Sequence, residues 1–144
     1  MVRIGIIGVG GIATGKHIPE LMNIKECKIT AICDIDASAL ERTKNRLGLD
    51  DEHCFTDYKK LIDCKDVDAV EICTPNYLHV KIAEYAVANG KPVNVEKPLA
   101  LNTEETESLS KMLNDTSVAN MMCFSYRFYP AVRYAKYILE KGLI

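Results

Sequence analysis

Residues Val2 to Ile7 are almost continuously apolar and run straight into Gly8-Val9-Gly10-Gly11-Ile12-Ala13. No other stretch restricts the fold as much. A short apolar run without alternation reads as a strand covered on both faces, as happens in parallel sheets flanked by helices. The turn matches G-x-G-x-x-G/A with alanine in the last place. Gly8 suits a sharp exit from the strand, Gly10 leaves the backbone open to close approach, and Ala13 is small enough for a helix to pack on the sheet. A helical stretch from about Gly11 to Met22 follows. Its free N–H groups and positive dipole end would face whatever the turn holds.

The alternation of apolar run and helical period then repeats. Ile29–Cys33 reads as a second strand, and Asp36 and Gly48 as the cap and stop of a helix. His53–Phe55, Val67–Thr74, Pro92–Val95 and Val118–Phe124 read as further strands. Tyr58–Ile62, Leu78–Ala88, a helix capped at Asn102 or Thr103, and Ala131–Leu139 read as helices. The expected fold class is therefore α/β: one doubly wound, mostly parallel six-stranded sheet of the Rossmann type in three α/β/α layers. Residues 1–124 make up a dinucleotide-binding domain in this reading, and residues 125–144 begin a linker helix.

A glycine turn alone is weak evidence, and Asp34 strengthens it. It lies 21 residues beyond Ala13, directly after Thr30-Ala31-Ile32-Cys33, where a carboxylate would meet the hydroxyls of an adenosine ribose. A carboxylate there repels a 2′-phosphate, and neither Ile35 nor Asp36 is an arginine that would attract one. The expected cofactor is NAD rather than NADP. The competing reading is a glycine turn and a capping aspartate in some other α/β protein, but Asp36 is the better cap.

Composition narrows the partners. The 144 residues carry a net charge of −2 with acids and bases mixed along the chain, which provides no basic footprint for nucleic acid or an anionic membrane. No stretch approaches the roughly 18 apolar residues of a membrane span, and the N-terminus lacks the layout of a signal peptide. A cytoplasmic protein with small-molecule partners is expected. None of the six cysteines lies in a C-x-x-C pair, so zinc spacing is absent. Reduced, structural thiols are expected, with no metal site.

Two strand tips carry the remaining chemistry. Thr74-Pro75-Asn76 closes the fourth strand and Glu96-Lys97-Pro98 the fifth. Both should reach the carboxyl edge of the sheet, where open α/β folds bind ligands. Taken alone, Lys97 is as readily a solvated charge as a functional cation. The run from Val67 through His79 and on from Gly90 to Ala100 closely resembles the GFO/IDH/MocA oxidoreductase family. The likeness extends from the glycine turn to Tyr126-Arg127-Phe128-Tyr129-Pro130-Ala131-Val132-Arg133 and so covers the whole chain.

The resemblance implies an NAD(P)-dependent dehydrogenase or reductase acting on sugars, polyols or related carbonyl compounds. It implies that Lys97 is catalytic, near the nicotinamide and the reacting oxygen, with a cis bond to Pro98. It places Thr74, Pro75 and Asn76 along the middle of the cofactor. His79, Glu96 and Lys97 join Gly8, Val9, Gly10, Gly11, Ile12 and Asp34 as cofactor-binding candidates, Glu96 by orienting Lys97. Two histidines keep a structural reading: a helix-terminal hydrogen bond for His79, and packing beside Pro19 for His17.

The resemblance implies a substrate-binding domain that would follow the stretch matched here. The expectation is the cofactor half of a longer enzyme, incomplete as a catalyst. The alternatives are a non-catalytic module that binds or senses NAD, and a flavodoxin-like protein with another ligand. Apolar surface around Met121, Met122, Phe124 and Phe128 should then lie open, with self-association through the last helix a further expectation.

Overall fold

The computed structural model describes every residue from Met1 to Ile144. Six strands, β1 (Val2–Ile7), β2 (Cys27–Cys33), β3 (Cys54–Phe55), β4 (Ala69–Ile72), β5 (Val93–Glu96) and β6 (Asn120–Cys123), form one sheet in the order β3-β2-β1-β4-β5-β6. Every pairing is parallel. The connections are α1 (Ile18–Met22), α2 (Ala37–Leu47), α3 (Tyr58–Ile62), α4 (His79–Ala88) and α5 (Thr103–Asn114), with α6 (Pro130–Glu140) closing the chain. Strand order runs outward from β1 in one direction and then restarts at β4 in the other. The crevice of a doubly wound sheet therefore opens beyond the carboxyl ends of β1 and β4.

Side chains of a strand alternate between faces, and here both faces are covered. Ile6 and Ile32 join Val9, Ala13, Ile18 and Ile29 in one core cluster. Ile7, Ala31 and Cys33 join Leu61, Ile72, Ile82 and Leu109 in the other. That two-sided burial is why β1 is apolar at consecutive positions. Gly5 brings α3 close, because a Cβ there would stand 2.6 Å from a Leu61 methyl.

Helix ends follow their local chemistry. Asp36 accepts hydrogen bonds from the amides of Ser38 and Ala39, and Gly48 ends α2 at φ +65°. Asn102 caps α5 through the Glu105 amide, and the Glu105 carboxylate accepts in return from Leu101 N, a reciprocal arrangement that satisfies two otherwise free donors. On the edge away from the crevice, Arg3 donates to both carboxylate oxygens of Asp68 and ties the starts of β1 and β4. That guanidinium holds the Asp68 carboxyl down at about 2.

Three details depart from expectation. The first helix is not regular, since Ala13–His17 forms a π-helical turn before α1. The strand expected over Val67–Thr74 keeps a ladder only over Ala69–Ile72. The one expected over Val118–Phe124 shortens to Asn120–Cys123, an edge strand that pairs on one side only. On it and beyond it, Met121, Met122, Phe124 and Phe128 are 39–60% exposed, and α6 buries none of its residues. No helix is long and apolar enough to cross a membrane.

Ile72 is fully buried between the layers, whereas Ile35 is 88% exposed. Ile72→Ala is expected to lower stability by about 2–5 kcal/mol in urea unfolding. Ile35→Ala should change it by no more than about 0.5 kcal/mol.

Candidate functional site

The carboxyl ends of β1, β2 and β4 surround a cleft of about 470 Å³, and Gly8, Gly10, Gly11, Ile12 and Asp34 line it together with Thr74 and Pro75. Its floor is set by a close approach. Gly8 has φ +90°, and a Cβ on it would lie 2.7 Å from the Cys73 carbonyl oxygen. Gly8 N also donates to Cys33 O at 2.8 Å. The turn is thus seated between the tips of β2 and β4, at a φ that favours glycine. Gly10 and Gly11 differ: nothing lies within 4 Å of where their Cβ atoms would be. They present bare backbone to open space at the start of a helix, which is the geometry an anionic group needs.

Asp34 forms the β2 wall. Val9 N donates to its Oδ2 at 2.8 Å and Asp36 N to its Oδ1 at 2.9 Å. The carboxylate therefore clamps the glycine turn to the entrance of α2, and each oxygen still has accepting capacity. Val9 itself is buried, its amide spent on this bond. On the β4 side the Thr74 hydroxyl is buried without a partner. Asn76 starts an exposed 3₁₀ turn, Asn76–Leu78, and is not part of the cleft wall.

His79 is 1% exposed. Its Nδ1 lies 2.7 Å from Pro98 O and its Nε2 2.9 Å from Thr74 O. The ring thus bridges the loop after β4 and the loop after β5. Lys97 is exposed at the β5 tip, its bond to Pro98 is cis, and its amide donates to Glu96 Oε2 at 2.9 Å.

His17 departs from its expected place beside Pro19. The wide π-helical turn delivers its ring between two buried carboxylates, with Nδ1 2.8 Å from Glu71 Oε1 and Nε2 2.8 Å from Glu96 Oε1. Interaction with Cys73, then with Glu71, and the contact with Glu96 outweigh burial and push its pKa up to about 11. Glu71 escaped sequence reasoning because it sits inside an apolar run. The available signal was a pair of polar residues at interior strand positions, Glu71 and Asn94, which turn out to be register partners. The cysteines are all unpaired, and burial raises Cys33 to about 12, which leaves that thiol unreactive.

A dinucleotide fits these residues. The bare backbone at Gly10 and Gly11 suits a pyrophosphate, Asp34 has capacity for ribose hydroxyls, and Thr74 offers an unpartnered hydroxyl. The GFO/IDH/MocA profile, described as an oxidoreductase family with an NAD-binding Rossmann fold, matches residues 2–124. The chain belongs to this family.

Among its GFO/IDH/MocA relatives, levoglucosan dehydrogenase of Pseudarthrobacter phenanthrenivorans is 40% identical over 93 residues, 65% of this chain and 24% of that protein. A scyllo-inositol dehydrogenase from Lactobacillus casei, solved with NAD(H) and scyllo-inositol, superposes with a TM-score of 0.90 at 28% identity, covering 100% of this chain and 42% of that one. A mutant 3-ketoreductase from Actinomadura kijaniata, solved with TDP-benzene and NADP, superposes at 0.86 with 28% identity, covering 99% and 45%. The chain spans less than half the length of each.

Two measurements check this site. Gly8→Ala should cost about 1–3 kcal/mol of stability, because the φ is strained for alanine and a backbone carbonyl blocks its methyl. His17 gives a pH signature. Its pKa is raised from 6.5 to about 11, so its contribution is complete below pH 6.5 and is lost as pH rises toward 11. The groups facing it are Glu71, Glu96, Cys73 and Cys123. The thermal midpoint should fall across that window, and His17→Gln should flatten the fall.

Proposed function

We propose that this chain is the cofactor half of an NAD-dependent dehydrogenase acting on a sugar, polyol or related carbonyl compound. One observation carries the reading. A single sheet edge presents a carboxylate, Asp34, at the β2 tip and an exposed ammonium, Lys97, at the β5 tip. Relatives are described with NAD(H) and with NADP, so the choice falls to this chain's own residues. Asp34 would accept from ribose hydroxyls and repel a 2′-phosphate. Arg42 and Arg46 border the glycine turn and are the feature that favours NADP. Both are engaged, Arg42 with Ser38 Oγ and Arg46 with the Thr14 carbonyl.

A bound nicotinamide supplies the hydride acceptor or donor. Lys97 would stabilise negative charge developing on a substrate oxygen and stand on the path of its proton. Glu96 holds the Lys97 peptide, and His79 fixes the loops that carry Thr74 and Pro98. The groups that select the substrate belong to the part of the family's length that this chain does not span. By itself the chain is expected to bind dinucleotide and turn over no substrate. A module that merely senses the cofactor has no use for a cation at that edge.

Calorimetry tests the cofactor reading. NAD should bind this chain at least about tenfold more tightly than NADP, a difference of about 1.4 kcal/mol. Asp34→Ala should narrow that ratio. Equal affinities in the unaltered chain, or tighter NADP binding, would contradict the assignment. Polyol-dependent NADH production by the purified 144-residue chain would contradict the half-enzyme reading.

A further inference from the structure

The structure assigns His17 a positioning role: a doubly protonated imidazole, enclosed between the buried Glu71 and Glu96, that holds the Lys97 peptide in place through Glu96. The inference rests on the reading of Lys97 as the catalytic cation, and it adds a residue that the glycine turn, the strand tips and the family likeness do not require.

Carboxylates only accept, and a neutral imidazole has one N–H. Yet both ring nitrogens lie 2.8 Å from a carboxylate oxygen. Nε2 meets Glu96 in a hydrogen bond and Nδ1 meets Glu71 in an ion-pair contact, and a carboxylate oxygen this close to each nitrogen is favourable only when the ring carries two protons, or when a glutamate carries one. Charge favours the ring, because two buried carboxylates near one another are costly without a cation. The remaining oxygens are also satisfied. Asn94 Nδ2 donates to Glu71 Oε1 and Oε2, and Lys97 N donates to Glu96 Oε2. The Cys73 and Cys123 thiols complete the shell, and burial raises the pKa of each. A metal is a poorer occupant, since each ring nitrogen already meets a carboxylate oxygen at hydrogen-bond distance.

The path from His17 to Lys97 is short. Glu96 Oε1 accepts from His17 and Oε2 accepts from the Lys97 amide, so fixing one oxygen fixes the other. Glu96 is 8% exposed and its backbone belongs to β5. The carboxylate therefore has little room to serve Lys97 from another rotamer. At the other end, the π-helical turn that presents His17 begins at Ala13, the last residue of the glycine motif. Wide turns of this kind recur at functional sites. One continuous chain of bonds thus joins the phosphate-binding turn to the cation at the reacting edge.

Nuclear magnetic resonance of the 144-residue chain tests this. In the unaltered protein both ring N–H protons of His17 should be visible from pH 6 to pH 9, with imidazolium nitrogen shifts. A ring with a single N–H at pH 8 would place the second proton on a glutamate and overturn the assignment. In His17→Gln the Lys97 amide should exchange with solvent at least about tenfold faster while the Val95 amide is unaffected. NADH affinity should fall several-fold while ADP, which lacks the nicotinamide, binds within about twofold of normal. Unchanged Lys97 exchange, or equal losses for NADH and ADP, would overturn the role.

If the single variant fails to fold, the double variant His17→Gln/Glu71→Gln removes one buried carboxylate together with the cation. Lys97 exchange should stay fast in it. Restored protection would mean that His17 only balances charge, and the positioning role would fall. Absence of NADH binding to the unaltered chain would instead remove the reading of Lys97 on which the role depends.

Discussion

The molecule is organised by one close approach. At Gly8 the exit of β1 passes so near the exit of β4 that the Cys73 carbonyl occupies the place of a side chain. That contact brings the two halves of a doubly wound sheet together at the point where the strand order reverses. It also leaves Gly10 and Gly11 as open backbone above it. Asp34 can reach Val9 N only because the turn is held this low between β2 and β4. The cleft, its acidic wall and its helix terminus all follow from a position that admits no Cβ.

Around this floor, polar side chains hold together strand tips that the sheet ladder no longer controls. Asp34 and Thr74 lie past the last ladder pairs of β2 and β4, whereas Glu71 and Glu96 are ladder residues whose side chains reach the first helix. Asp34 ties the β1 turn to β2, His79 ties the loop after β4 to the loop after β5, and His17 ties the first helix to both β4 and β5. All three side chains work through hydrogen bonds to backbone or to buried carboxylates. Such networks are effective only when every member is satisfied. The Thr74 and Tyr58 hydroxyls are buried without partners on the cleft wall, as is Asn94 Oδ1 beside Glu71, and unpartnered hydroxyls in the cleft are consistent with a ligand supplying the partner.

Much of the fold was legible because local signals agreed with the global pattern. Val2–Ile7 and Tyr58–Ile62 read directly from apolar runs and helical period, and Asp36, Gly48 and Asn102 from capping chemistry. Strand ends were overdrawn at Val67–Thr74 and Val118–Phe124, since apolar residues continue past the last ladder bond. The π-helical turn left no trace in composition, because it is imposed by packing of Ala13 and Ile18 on the sheet while His17 turns inward. Pair interactions across strands were the least legible. Glu71 and His17 lie 54 residues apart, and only the register of β4 on β5 brings Asn94 and Glu96 to complete their environment. His79, by contrast, occupies the helix-terminal hydrogen-bonding place that its position suggested.

If one sheet edge holds a dinucleotide, its adenosine end lies at Asp34 and its nicotinamide end at Lys97. A crystal structure of this chain with NAD tests it most directly. The expected result shows ribose hydroxyls within hydrogen-bonding distance of the Asp34 carboxylate, the pyrophosphate on Gly10 and Gly11, and the nicotinamide ring beside the Lys97 side chain. A dinucleotide bound in the reverse sense, or bound away from the glycine turn, would contradict it.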